Sequence, residues 1–368
     1  MLVFLEIFDE VPDPRDFTAQ HPLPEILFIA LAAVLCGATH CTDMALFAKS
    51  RFELLRRFIP LEKGPPSHDT FSRVLGPLDP VAFNAAFTRF MAAFGAQARI
   101  DLPTRQVAID GKSLRRAYAK GCAHMPPLVV TAFACDSFMS LSQAVAQKGG
   151  EAQAAIEALE LLSLKGLTIT ADALHCHRRM TKVIREGGGH YAITIKGNQS
   201  KLAAEANAAL DAAAANHKTR FHQTEEEAHG RHEVRRAFVT PFTQSPGRAA
   251  LIGLVAVGRI ESWRTVNGKT THKVRCYALS RALSPQQLLA TVRRHWAIEN
   301  QLHWQLDVLL CEDLARSRKN NAPANLALLR RLSLNILRAD PENIPLSHKR
   351  LKARWADQNL LALLTHMR

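Results

Sequence analysis

Aromatic residues fill only 7% of the 368 positions, which weakens any case for a surface that reads single strands by stacking one base after another. Long apolar runs are missing too. The longest, Ile26 to Ala38, spans about thirteen residues where a membrane-crossing helix needs about twenty, and Glu25 precedes it. That run suits a buried helix, and no membrane partner is expected. The Met-Leu-Val-Phe-Leu-Glu start lacks the basic stretch and small-residue cleavage site of a secretory signal, so a cytoplasmic location is expected. The seven cysteines, at 36, 41, 122, 135, 176, 276 and 311, are odd in number and show no close pairing. This usage fits reduced thiols and not a disulfide framework. His175-Cys176-His177 is a poor zinc cluster, because neighbouring side chains on a helix diverge. Acid is the scarce charge, with 33 Asp and Glu against 47 Lys and Arg and a net charge of +14. An excess of that size points to a polyanion, most often nucleic acid, because neutralised phosphates release their counterions.

Against this background three carboxylates stand out. Asp110 follows Val107-Ala108-Ile109, and Asp172 follows Ile169-Thr170-Ala171. Both runs are β-branched and apolar, as core strands are, and both end in Asp followed by a small residue. Either Asp alone would pass for a turn former. The third, Glu299, lies beyond a helix start at Ser284-Pro285-Gln286-Gln287, where Ser is the N-cap, Pro the first helical residue and Gln reaches back. At 100° per residue Leu288, Leu289, Val292, Trp296, Leu302 and Leu306 share one face with Glu299 in its middle, while Arg294, Gln301 and Gln305 lie opposite. A buried charge on such a stripe needs an Arg partner or a metal. Two aspartates and a glutamate suit two Mg2+ ions about 4 Å apart, the arrangement used for phosphoryl transfer.

The chain is long enough for two or three domains. Residues 1–103 read as helical, with helices expected over 23–38, 44–58 and 80–94 and a further start at Ser67-His68-Asp69. From 104 to 320 strands are expected at 105–110, 128–135, 140–146, 167–172 and 190–196 and helices at 151–164 and 174–187, a mixed α/β sheet. A β-rich insertion at about 199–283 interrupts it, with strands at 233–240, 250–258 and 271–279 and a hairpin turn at Asn267-Gly268. Residues 321–368 read as helical, at 322–338 and 356–367, around a basic connector carrying Lys349, Arg350, Lys352 and Arg354. No internal repeat or low-complexity segment is present.

Asp110-Gly111-Lys112-Ser113-Leu114-Arg115, Thr170-Ala171-Asp172-Ala173-Leu174-His175, Ile195-Lys196-Gly197-Asn198-Gln199 and His295 to Val308 resemble the signatures of ISAs1-family insertion-sequence transposases. His21 to Leu27 and Ser67 to Val74 extend the resemblance over nearly the whole chain. It implies an RNase H-like fold, here a five-stranded mixed sheet with the β-rich insertion placed before the Glu helix. It also implies that Asp110, Asp172 and Glu299 hold Mg2+, or Mn2+, in a two-metal site. Cut-and-paste transposition would follow, with water and then a 3′-hydroxyl as nucleophile, acting on double-stranded DNA: the inverted-repeat ends of the element and its target. A homodimer would act on the paired ends, and the protein would be nucleoid-associated when bound. A related subgroup carries Tyr, Arg and Lys around the catalytic Glu. Here Val292, His295 and Leu306 occupy those positions, so those phosphate contacts do not transfer. Lys112 and Arg115 beside the first Asp, Lys196 at the end of a neighbouring strand, and Arg294 are the expected DNA contacts. His295 and His303 flank Glu299 and either orient water or phosphate or are satisfied core histidines. The triad alone would equally serve a metal-dependent nuclease or resolvase, and a DNA-binding protein with a decayed site is a third class.

Overall fold

The computed structural model describes residues 3–16, 19–98, 105–118, 121, 125–146, 150–215, 220–228, 230–245, 247 and 250–365. Cys122 and the expected boundary at 103–104 lie outside the described residues. The strands are β1 (Gln106–Ser113), β2 (Leu128–Ala134), β3 (Ser140–Ala146), β4 (Thr168–Ala171), β5 (His190–Ile195), β6 (Phe221–Ala228), β7 (Arg231–Pro241), β8 (Ala256–Val266) and β9 (Lys269–Leu279). The α-helices are α1 (Val3–Asp9), α2 (Leu23–Leu35), α3 (Cys41–Ser50), α4 (Phe52–Leu55), α5 (His68–Leu75), α6 (Pro80–Ala98), α7 (Glu151–Glu160), α8 (Arg178–Glu186), α9 (Ser200–Ala215), α10 (Pro285–His295), α11 (Trp304–Val308), α12 (Ala322–Ala339), α13 (Leu346–Trp355) and α14 (Asp357–Thr365). Two compact units emerge. The first comprises Met1–Leu102, Gly111–Leu162 and Ile298–Arg368, and the second Pro103–Asp110 and Ser163–Ala297.

The second unit is built on a mixed sheet. Strands β1, β4 and β5 run parallel, with Ile109 opposite Ala171 and Ala171 opposite Ile193. Strand β9 pairs antiparallel with β5, and β8, β7 and β6 follow in that order. The β-rich insertion is therefore no separate module, since its strands continue the sheet beyond β5. It holds four strands where three were expected, because β6, a polar strand carrying Glu225-Glu226-Glu227, has no apolar alternation to announce it. The strand expected at 250–258 runs from Ala256 to Val266, and Asn267 and Gly268, both at positive φ, make the expected turn into β9. Helix α10 lies on this sheet. Leu288 and Leu289 pack among Ala192, Ala237, Ala256, Ile260 and Tyr277. At Gly258 a Cβ would sit 2.4 Å from a Leu288 methyl, so a larger residue there would displace the Leu288 side chain where α10 crosses β8.

The first unit is helical around one hairpin. All thirteen residues of α2 are buried, Glu25 included, whose carboxyl is pushed upward by burial and accepts from the Leu61 amide. Helix α2 packs on α12, and α12 is buried from Ala322 to Leu337. Strands β2 and β3 pair antiparallel. Amides close the outer side of β3: Asn335 bonds both backbone groups of Ser140 at 3.0 and 2.8 Å, and Asn84 accepts from Gln143 N at 2.9 Å. The basic connector expected at 349–354 is instead part of α13, and its charges are largely engaged. Lys349 is buried and donates to the Asp340 carbonyl, Arg350 donates to the Leu309 carbonyl, and Lys352 pairs with Glu342.

Candidate active site

Strand β1 runs on to Ser113, but its pairing with β4, in the second unit, ends at Ile109 and Ala171. The strand expected to end at 110 thus continues past Asp110. Asp110 and Asp172 are the next residues after the last parallel pair, so two carboxylates stand where the pairing of β1 and β4 ends, toward the carboxyl end of the parallel strands, the side of an open α/β sheet where ligands bind. Asp110 is half-buried. Asp172 is 53% exposed at its side chain and caps the 3-10 turn Ala173–His175, its Oδ1 accepting from the Leu174 amide at 2.9 Å. His175 Nε2 stands 3.9 Å from the same oxygen. Thr170, two residues before Asp172, ties α10 to this sheet end. Its Oγ1 lies 3.0 Å from His295 Nδ1 and accepts from Gln106 Nε2 at 3.2 Å, while the same Gln106 nitrogen donates to the Thr291 carbonyl at 2.9 Å. Lys196 follows β5 and is exposed, as is Arg294 on α10. Arg293, beside it, is paired with Glu226.

His177 has a structural task here. Its Nδ1 accepts from the Met180 amide at 3.2 Å and caps α8, and burial with the nearby His175 and Arg179 charges holds its pKa below the usual histidine range. Burial pushes the Cys176 thiol up to about 12, so it is an unreactive core residue.

Glu299 belongs to the first unit, and its setting corrects the expectation of a buried stripe. The capping box at Ser284 and Gln287 is present, but α10 closes at Trp296, and Ile298–His303 is a π-helical turn. The expected inner face holds at Leu288, Leu289, Leu302 and Leu306, which are buried, and fails at Trp296 and Glu299. Trp296 is exposed, Ile298, Leu302 and His303 point inward, and the Glu299 side chain is 49% exposed. Its Oε2 lies 3.4 Å from Nδ1 of the buried His303. Glu299 thus offers a carboxylate next to an imidazole, both capable of holding a metal. Arg338 donates to the Gln301 carbonyl of the same turn, and burial lowers its pKa to about 9.

Two further acids of this unit answer Lys112. That lysine is buried, with Nζ 2.8 Å from Asp307 Oδ1 and 3.0 Å from Asp313 Oδ1. Arg115 is 77% exposed and reaches Asp313 at 3.2 Å. Burial raises the Asp307 carboxyl, and Lys112 opposes that rise. Glu312, next to Asp313, turns inward to Arg331 at 3.0 Å, and both side chains are fully buried. Sequence reasoning left Asp307 without a role and passed over His303 as a partner of Glu299. The four-residue Glu299-to-His303 spacing was the available signal for the latter.

The family of the chain is settled by comparison. A model described as "Transposase DDE domain" matches residues 101–336. The chain belongs to the DDE transposase family. A second model, described as "DDE_Tnp_1-associated", matches residues 5–91 of this transposase. Among curated relatives, the "Uncharacterized protein in dhlA 3'region" of Xanthobacter autotrophicus is 37% identical over 76% of this chain and 94% of its own length. The "H repeat-associated putative transposase YhhI" of Escherichia coli K12 is 29% identical over 97% of this chain and 96% of its own. The "Putative transposase YncI" of Escherichia coli O157:H7 is 30% identical over 91% and 87%. The mixed α/β architecture agrees with the RNase H-like fold of DDE domains. Among the described residues no helix is long and apolar enough to cross a membrane.

Proposed function

We propose that this transposase is of the ISAs1 type, binds the inverted-repeat ends of a bacterial insertion sequence and catalyses divalent-metal-dependent cleavage and strand transfer, with Asp110, Asp172 and Glu299 as its metal-holding triad. The observation that carries this reading is the pair Asp110 and Asp172, each the residue next after the last paired position of the adjacent parallel strands β1 and β4, inside the region that matches the DDE domain. The donor set fits a hard cation. Carboxylate oxygens suit Mg2+, and the imidazole of His303 beside Glu299 makes Mn2+ acceptable as well. When bound, the ions would supply an activated attacking oxygen and stabilisation of the leaving oxygen.

The chain's own residues do the positioning. The Leu174 amide fixes one oxygen of Asp172, and His303 orients Glu299. Exposure of Asp172 and Glu299 leaves room for a bulky phosphodiester. Arg115, Lys196 and Arg294 are exposed cations suited to DNA phosphates, whereas Lys112 is shared between Asp307 and Asp313. In this proposal residues 1–103 form a helical region in contact with DNA, 104–320 the catalytic domain and 321–368 a helical C-terminal region. Two copies join the paired ends, in the cytoplasm and on the nucleoid.

The test is an assay of cleavage and joining with Mg2+, on DNA carrying the sequences that flank the gene. Wild type should cut and join. Asp110→Asn, Asp172→Asn and Glu299→Gln should each abolish both activities while DNA binding persists, since phosphate contacts dominate affinity. Wild-type cleavage by any of the three ends that residue's assignment. Cutting by wild type without a joined product would make the protein a nuclease.

A further inference from the structure

We infer that a basic cleft in the first unit, separate in sequence from all three triad residues, binds the phosphodiester backbone of duplex DNA. This inference rests on the DNA-binding reading above and adds to it a second place of contact. The cleft is a cavity of about 660 Å³ whose described lining carries Arg15, Lys63, Arg73 and Lys319 against one carboxylate, Asp16. Lys63, Arg73 and Lys319 are exposed and form no ion pair among the described residues. Other cations of this unit are spent on acids, among them Lys112 on Asp307 and Asp313, Lys352 on Glu342, and Arg331 on Glu312. Three unpaired cations around one hollow repel each other, and a polyanion relieves that repulsion.

Arg73, Lys319 and Arg15 are held by packed elements. Arg73 is on α5, whose N-cap is Ser67, the Oγ of which accepts from the Thr70 amide. Lys319 belongs to a turn pinned to the end of α5, because Asn321 N donates to the Gly76 carbonyl at 2.9 Å and Asn321 Nδ2 to the Leu78 carbonyl at 3.1 Å. Arg15 is fixed by both oxygens of Asp13 and by the His21 carbonyl at 2.7 Å. Charges presented from three separated stretches of chain on a fixed frame suit consecutive phosphates better than one small anion. The chemistry reads backbone and carries no base specificity.

The experiment measures binding of the full-length protein to a fluorescent duplex of arbitrary sequence across a salt series, together with a melt. The variant is Lys63→Glu/Arg73→Glu/Lys319→Glu. The control, Lys165→Glu/Lys269→Glu/Lys273→Glu, makes the same change in net charge at exposed lysines elsewhere. The cleft variant should melt like wild type, bind about tenfold or more weakly, and show a log–log salt slope shallower by about 2 to 3, near one for each phosphate that is no longer neutralised. The control should weaken much less. Equal affinity and slope for wild type and cleft variant would overturn the inference, and so would an equal weakening in the control, which would make the effect one of net charge alone. A wild type that binds no duplex at any salt would instead refute the DNA-binding reading itself.

Discussion

Removing Arg331 should cost more stability than almost any other single change in the first unit. Its Nη1 lies 3.0 Å from Glu312 Oε1 and 3.0 Å from the Ala327 carbonyl, and its Nε donates to Thr131 Oγ1 at 2.9 Å. Arg331 and Glu312 are both 0% exposed at their side chains. Two charges about 4 Å apart attract by about 4 kcal/mol at an effective dielectric near 20. Desolvation of each ion costs several kcal/mol, so the pair nets close to zero. Arg331→Met leaves the Glu312 charge without its partner, a loss of about 3–5 kcal/mol. That is a third or more of the 5–15 kcal/mol that holds a typical domain folded, and corresponds to a fall in Tm of about 10 °C. Arg331→Met/Glu312→Leu removes that stranded charge but takes from the buried Arg330 the acid that offsets its burial, so it should recover only part of the loss. Thermal and urea melts of the three proteins decide the matter. A single variant that melts within about 2 °C of wild type refutes the stranded-charge argument. A double variant as unstable as the single one would place the loss in the bonds to Thr131 and Ala327 or in the Arg330 charge left without Glu312.

Three other outcomes are expected. Lys112→Met, which leaves Asp307 and Asp313 facing each other, should cost about 2–3 kcal/mol in a urea melt, whereas Asp307→Asn, which leaves the Asp313 pair, should cost about 1 kcal/mol or less; equal losses would deny the shared lysine. Glu299→Gln should change stability by less than about 1 kcal/mol, since its pairing with His303 is half-exposed, and a much larger drop in Tm would mean a structural ion pair. His177 is held neutral as the cap of α8, with a folded pKa below the unfolded 6.5, so its contribution of about 1 kcal/mol is present above pH 6.5 and is lost as the pH falls through the lower folded value. The Tm gap between wild type and His177→Ala should shrink from pH 7.5 to pH 5, and a constant gap would refute the capping role.

Strands β4 and β5, the Asn267-Gly268 turn and the Ser284 capping box could be read from sequence because each depends on neighbours within a few residues. What escaped depends on distance. The partners of Lys112 stand 195 and 201 residues away, and no spacing rule finds them. Helix α13 was hidden because its basic residues resemble a solvated connector until Asp340 and Glu342 are seen to take Lys349 and Lys352. Glu299 is the instructive case. It was selected as a buried charge, by a phase that assumed one unbroken helix; Leu302 and Leu306 are buried as that phase placed them, but the segment turns π-helical after Trp296 and Glu299 itself is half-exposed. The premise failed, yet exposure suits the proposed chemistry better. A carboxylate sealed in a core could meet a cation but not a DNA strand, whereas the half-exposed Glu299 side chain is open to both.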